Sequence, residues 1–518
     1  MQQRTLVVLL LFIAAGTSSC KILFPKKTVT VTDDGKLEAV FIQANDVYEI
    51  APLSNGKIGG MARVATIKKQ YKQANPNTFL VMAGDFLSPS AYNSLKYQGN
   101  AIRGRQMVDV MNAAGFDLVT FGNHEFDIKE KELQDRMDES LFQWVSSNCF
   151  HKGAGSTGAF QKQANSKTFS VPKTYILSLK DADGTKVKIG FIGLTLPFNK
   201  ADYVGYIEPL SIAKQLYASL KDSCDAVVAI THQSVEDDKK LAAEIPGLAA
   251  ILGGHEHDMR FEKVGNIYIT KAHSNARSVY IVKLLVDKKT KNTTVTPQLK
   301  NLDESVALDS SVNSVVKKWI DIADASYAAL GFNSKQIVLE SGEPLDGRET
   351  EVRSKQTTLT KLITDAMSDA CPQADVVLMN AGSIRVDDIL YPPVSQYDII
   401  RTLPFGGPIR EADIKGSSLL QALEAGRKNT GIGGFLQFSK VVYNESSGKW
   451  SIGNAPLQPD KVYRVALSDF LLTGKEANLD FLNPQNPDIV KVYEPVTSTD
   501  DGRSDIRLAV VKYLQKVH

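Results

Sequence analysis

The sequence predicts a layered α/β domain followed by a separate α+β domain, and three observations carry that expectation. The chain has 518 residues, beyond the size at which one hydrophobic core keeps growing, so two domains are expected. From Leu37 to about Asp287, short apolar or β-branched runs alternate with amphipathic stretches, the pattern of sheets covered by helices. After about Asp309 helices and strands follow in mixed order, which reads as a second unit of a different class. Hydrophobic residues make up 43% and charged residues 23%, enough for full-sized cores and too little charge for a disordered chain.

Taken in order, Arg4 precedes an apolar run from Leu6 to Ala15 that ends in Gly16, Thr17, Ser18 and Ser19. The run is too short to span a bilayer comfortably and has the architecture of a signal peptide over residues 1–20. Export to the periplasm or cell surface is therefore expected. Cys20 stands where a bacterial lipoprotein is cleaved and acylated, so membrane attachment through a lipidated Cys20 is expected beside the alternative of simple cleavage. Strands are expected at Ala39 to Ala44, Phe79 to Met82, Leu118 to Phe121, Val187 to Leu194, Ala226 to Ile230 and Ala249 to Leu252, with helices at Met61 to Gln73 and Ile212 to Lys221. The stripe Val312, Val315, Val316, Trp319 and Ile320 predicts a connecting helix. Beyond it, helices at Thr358 to Ala370 and Ser417 to Gly426 mix with strands at Val376 to Met379 and Val462 to Leu467. The divisions are expected at residues 36–305, a helical linker at 306–335, and 336–518.

A formal net charge of +2 gives no field favouring DNA, and no nucleic-acid partner is expected. Cys149, Cys224 and Cys371 are scattered and suggest neither a disulfide framework nor a thiolate metal site. Chemistry concentrates instead in five strings just past apolar strands. They contain Asp46, Asp85, Asn123 with His124, Glu125 and Asp127, then Thr231 with His232, and Gly254 with His255, Glu256 and His257. Four of the seven histidines fall in these strings; His151, His273 and His518 do not and read as structural or solvent-facing. Strand ends meet at one edge of an α/β sheet. Aspartate oxygens and imidazoles gathered there suit zinc, manganese, cobalt or iron, and a shared carboxylate can bridge two ions.

With Asp85 in Gly-Asp, then Gly-Asn-His-Glu and Gly-Gly-His-Glu-His, the chain resembles the calcineurin-like metallophosphoesterases. Asn-His-Glu-Phe-Asp at 123–127 is similar to the branch containing 5'-nucleotidases, UDP-sugar hydrolases and 2',3'-cyclic nucleotide phosphodiesterases. The resemblance implies a four-layer α/β metallophosphoesterase sandwich followed by an α+β substrate-binding domain, and a 5'-nucleotidase-like hydrolase with two divalent metal ions. It implies Asp46, Asp85 and His257 as ligands of one ion, and Asp85, Asn123, His232 and His255 as ligands of the other. His124, oriented by Asp127, would stabilise the transition state and assist the leaving oxygen. Two cations of this kind would activate a water for in-line attack on phosphorus.

The family pattern has histidine where this chain has Tyr48. Two readings stand: a phenolate ligand to a hard ion such as ferric iron, as in purple acid phosphatases on a related fold, or a ring that packs beside the site. In the second domain, Asn380 to Arg385, Leu403 to Gly407 and Gly433 to Gln437 resemble the 5'-nucleotidase C-terminal domain. By that resemblance Asn380 and Arg385 contact a nucleotide or nucleotide-sugar substrate, and Phe435 is one face of a clamp on the base. The other face is expected at Phe481, allowing three extra residues in the loop after Gly474, or without a gap at Asn478. Cleavage of nucleoside 5'-monophosphates is the leading expectation. Hydrolysis of a UDP-sugar or a 2',3'-cyclic nucleotide, and a non-catalytic exported nucleotide-binding protein, are its alternatives.

Overall fold

The structure, a computed structural model, describes residues 33–153, 156–198 and 201–517. The expected signal peptide, Cys20 and His518 lie outside the described residues. No helix among the described residues is long and apolar enough to cross a membrane.

Two six-stranded sheets form the first domain. The first has the order Asn292–Asn301, Ser278–Asp287, Lys36–Ala44, Thr78–Ala83, Leu118–Thr120, Gln143–Trp144. Its four strands from Lys36–Ala44 onward are parallel. The second has the order Thr174–Lys180, Lys186–Thr195, Ala226–His232, Ala250–Gly254, Ile267–Lys271, Arg260–Val264, with its four central strands parallel. The sheets face each other across Phe41, Val81, Phe191, Val228 and Leu252. Phe41 meets Phe191 edge-on at 5.5 Å, a favoured aromatic geometry. The helix Met61–Ala74 packs outside the first sheet, and Pro209–Leu220 and Val235–Glu244 outside the second. The result is the expected four layers, helix–sheet–sheet–helix. Strands that are apolar on both faces, such as Ala226–His232 with every residue buried, are what burial between layers demands.

The apolar stripe beginning at Val312 belongs to the helix Ser310–Ala329, whose Asp309 side chain caps the first turn by accepting from Ser311 N and Val312 N. Val312, Val316, Trp319, Ala323 and Tyr327 are buried, and Trp319 Nε1 donates to Asp109 Oδ2 of the first domain (3.1 Å). The stripe is thus a packing face. Beyond it a mixed five-stranded sheet runs Leu436–Ser439, Val376–Asn380, Val462–Ser468, Ile409–Lys415, Ile489–Val492. Helices Thr358–Ala370 and Ile506–Val517 cover one face and Gly416–Lys428 the other. Cys149 and Cys371 are buried free thiols, while Cys224 is only half-buried.

Candidate metal centre and interdomain cavity

The expected strings do meet at one place. Asp46 and Asp85 lie just past the strands Lys36–Ala44 and Thr78–Ala83, His232 ends Ala226–His232, and His255 directly follows Ala250–Gly254. Asp46, Asp85 and His255 have φ of 53°, 54° and 90°, left-handed backbone that costs a non-glycine residue roughly 1–3 kcal/mol and concentrates at functional sites. A Cβ on Gly122 would stand 2.1 Å from Asp85 Oδ1, and one on Gly254 2.4 Å from the Ala83 carbonyl oxygen. Only glycine lets these turns approach so closely.

Two buried groups that sequence reasoning left without a role hold the turns. Glu125 accepts from the amides of Asp85 (2.8 Å), Phe86 (2.7 Å), Leu87 (3.0 Å) and Gly122 (2.6 Å). Burial pushes its carboxyl up to about 7, with the Asp85 charge adding and the amides opposing. Lys271 donates to the carbonyls of Gln233 (2.6 Å) and Gly254 (2.8 Å) and to Glu256 Oε2 (2.5 Å), fixing the turn that carries His255.

Asp46, Asp85 and His232 each offer a ligand atom within 4.8 Å of the others. His232 Nε2 lies 3.0 Å from Asp85 Oδ2 and 3.8 Å from Asp46 Oδ1, and His257 Nε2 lies 3.6 Å from Asp46 Oδ1. The other nitrogen of His232, Nδ1, donates to the Ala83 carbonyl (2.8 Å), which turns Nε2 toward the carboxylates. His255 lies beside His232, ring centroids 5.5 Å apart. Asn123 Oδ1 is buried with no hydrogen-bond partner among the described residues. Buried acceptors are nearly always paired, so an orphan beside two carboxylates and three imidazoles fits a divalent cation. That donor set is chemically suited to the zinc, manganese, cobalt or iron class.

The electrostatics follow from crowding. Burial opposes charge on His232, but Asp85 and then Asp46 outweigh it and push the imidazole up to about 10. Burial and the neighbouring His232 charge push His255 down to about 4. Burial also disfavours the charged Asp85 carboxylate, yet His232 and His124 hold it well below the ordinary range. His124 Nδ1 lies 2.6 Å from Asp127 Oδ2. Against the cost of burial, Asp85 and then Asp127 raise His124 above its ordinary value. His151 pairs with Glu130 and His273 with Ser278, both apart from this cluster.

Tyr48 is only 6% exposed. Its hydroxyl lies 2.9 Å from His257 Nε2, 3.3 Å from Asp85 Oδ2 and 3.5 Å from Asp46 Oδ1, so it points into the donor cluster. Burial, then the Asp85 and Asp46 charges, push the phenol well above its usual range.

A cavity of about 800 Å³ opens beside the cluster, lined by Asn123, His124, Asp127 and His255 from the first domain and by Asn380, Arg385 and Arg353 from the second. Asn380 is held by Glu476, which accepts from its Nδ2 (2.8 Å), and by the hydroxyls of Ser383 (2.8 Å) and Ser468 (3.0 Å), which donate to its Oδ1. Arg385 Nε and Arg353 Nε are buried donors without a partner among the described residues, and each side chain faces the cavity.

The two rings expected to clamp a base lie outside the lining of this cavity. Phe435 is 8% exposed and packs in the core, and Phe481 packs against the core of the second domain; neither lines the cavity. The cause is local: Phe435 N donates to the Ile432 carbonyl (3.1 Å) and its own carbonyl accepts from Ala381 N (2.9 Å). That tie leaves Ile432 and Gly433 at the cavity and the ring behind them. The exposed rings at the cavity are Phe405 (58%), Phe470 (40%) and Phe198 (63%). Phe405, given no role by the sequence, sits within the Leu403 to Gly407 string, a signal that could have pointed to it; Phe470 and Arg353 carry no local signal that separates them from ordinary surface residues.

The calcineurin-like phosphoesterase family model matches residues 39–259, and that of the 5'-nucleotidase C-terminal domain matches 336–482. The 5'-nucleotidase of Bos taurus is 26% identical over 481 residues, covering 80% of this chain and 78% of its own length. Protein UshA of Yersinia enterocolitica is 25% identical, with 79% and 80% covered. In fold, the crystal structure of the 5'-nucleotidase precursor from Thermus thermophilus superposes with a TM-score of 0.67 at 22% identity, covering 93% of this chain and 97% of that one. The chain belongs to the metallophosphoesterase hydrolases in which a calcineurin-like phosphoesterase domain is followed by a 5'-nucleotidase C-terminal domain.

Proposed function

We propose that this chain is an exported hydrolase of nucleoside 5'-monophosphates, yielding nucleoside and phosphate. The observation that carries the reading is one cavity with a metal-donor cluster at one end and, at the other, exposed aromatic rings beside two arginines whose Nε donors have no partner among the described residues, although Arg353 also pairs with Glu349. Asp46, Asp85 and His257 would hold one divalent ion and Asp85, Asn123, His232 and His255 a second, an assignment supported by the convergence of these side chains. Such ions supply an activated water and neutralise charge on the phosphoryl oxygens.

The remaining work falls to the chain's own groups. Arg385 and Arg353, whose Nε donors are free, bind phosphate oxygens, for which the guanidinium fork is matched. The Asp127 carboxylate on His124 Nδ1 keeps that imidazole protonated and turns Nε2 toward the cavity, where it donates to the leaving oxygen. Phe405 and Phe470 offer faces on which a base stacks. The 2',3'-cyclic nucleotides and UDP-sugars are the second reading. It is favoured by the cavity's volume of about 800 Å³, toward the upper end of the roughly 300–1,000 Å³ of small-molecule sites. Export rests on the signal-peptide pattern of residues 1–20; the mass of the mature N-terminus distinguishes an acylated Cys20 from simple cleavage. A panel of phosphate esters assayed on chelator-treated and metal-restored protein tests the activity, and full turnover after exhaustive metal removal would refute it.

A further inference from the structure

We infer that Asp387, in the second domain, is a positioning residue for His257 in the first, so that the placement of one domain against the other sets the affinity of the first metal ion. The inference rests on the two-metal reading above. His257 Nδ1 donates to Asp387 Oδ2 at 2.5 Å, while its Nε2 faces Asp46 and Tyr48. A carboxylate on the far nitrogen fixes a ligand histidine's tautomer and ring orientation and raises its basicity. His232 has the equivalent support from Ala83 within its own domain; His257 takes its support across the domain boundary.

Asp387 is itself held for this task. Its backbone is left-handed, with φ of 38°, and its Oδ1 accepts from the Glu349 amide, which leaves Oδ2 for His257. The next residue, Asp388, accepts from Arg277 Nη1 (2.8 Å), and Arg277 also donates to Ser274 Oγ (3.1 Å). Ser274 N in turn donates to the His257 carbonyl (2.9 Å). Two consecutive aspartates of the second domain therefore grip both the side chain of His257 and the segment that carries its backbone. An exposed interface ion pair alone would contribute little. This pair differs because its histidine presents the opposite nitrogen to the donor cluster, and because Tyr48 stands where an imidazole donor is expected, which leaves the first ion more dependent on His257. Since binding couplings are reciprocal, occupation of the first site also favours the domain placement seen here.

Calorimetric titration of the full chain with Mn²⁺ alone tests the proposal, with circular dichroism to verify folding. Wild type is expected to show two binding events. Asp387→Asn, nearly isosteric, should weaken one of them by roughly 10- to 100-fold and leave the other in place; Asp388→Asn, which touches no proposed ligand, should weaken the same event by a smaller factor. In a His257→Ala background, Asp387→Asn should have no further effect. Two unchanged events in Asp387→Asn, or effects of the two substitutions that simply add, overturn the positioning role alone. A wild-type chain that takes up fewer than two ions overturns the two-metal reading, and this inference with it, before any variant is compared.

Discussion

The two ends of the interdomain cavity are built differently. At the donor end, Asp46, Asp85, His232 and His255 sit at or within two residues of strand ends, and each is tied by backbone or buried side-chain hydrogen bonds. At the recognition end, Arg353, Phe405 and Phe470 come from separate segments of the second domain, and the exposed Phe405 ring has the Arg385 guanidinium 5.6 Å from its centroid. A strand end dictates where a side chain points to within a fraction of a turn. A glycine-rich loop does not, and this is why side chains past strand ends converge at one place while Phe435 and Phe481, expected at the cavity, pack away from its lining.

The largest losses are expected at the donors. Asp85→Ala should abolish turnover and metal uptake together, read by metal analysis beside a phosphate-release assay; retention of both ions would show that the cluster is not the metal site. His124→Ala should cost on the order of 10²- to 10³-fold in kcat with metal content unchanged, and Asp127→Asn less in the same direction. Lost metal in His124→Ala would move it into the ligand set.

At the recognition end the effects should be smaller and selective. Phe405→Ala and Phe470→Ala should raise KM for nucleotides by roughly 10- to 100-fold, the worth of about 1–3 kcal/mol per stacked base, and spare a small aryl phosphate. Phe435→Ala, by contrast, should lower stability by about 3–5 kcal/mol, as truncation of a buried phenylalanine does, while KM changes little; the opposite pattern would restore Phe435 to the clamp. Tyr48→His should tighten one of the two ions. An unchanged affinity would mean that the phenol already serves as well as an imidazole.

The smallest expected effect lies at the seam. Glu49, buried and accepting from the Tyr397 hydroxyl of the second domain, is pushed by burial up to about 7 against the opposing influence of Tyr397 and Arg401. Its folded value exceeds its unfolded value of 4.5, so the folded chain binds the extra proton and stability falls as pH rises from about 4.5 to 7. Glu49→Gln should therefore raise Tm by a few degrees at pH 8 and by less at pH 5. Equal shifts at both values would place the titration elsewhere.

Much of this protein is legible in the amino-acid sequence because its signals are local. Unbroken apolar runs such as Ala226 to Ile230 predict buried strands, their periodicity predicts layers, and an acidic or imidazole residue one or two places past a strand predicts a donor at the sheet edge. The helical stripe from Val312 to Ile320 likewise announced a packed connector. Tertiary structure alone decided three other matters. Glu125 and Lys271 became supports because backbone amides and carbonyls from distant turns arrive around them. Phe435 turned into the core and Phe405 and Phe470 to the cavity, a choice made by loop hydrogen bonds rather than by residue type. Asp387 met His257 across 130 positions of chain, and nothing periodic or adjacent connects them. Sequence encodes what a residue does along its own strand or helix; which distant partner completes it depends on how the two domains pack, where contact free energies are summed over the whole fold.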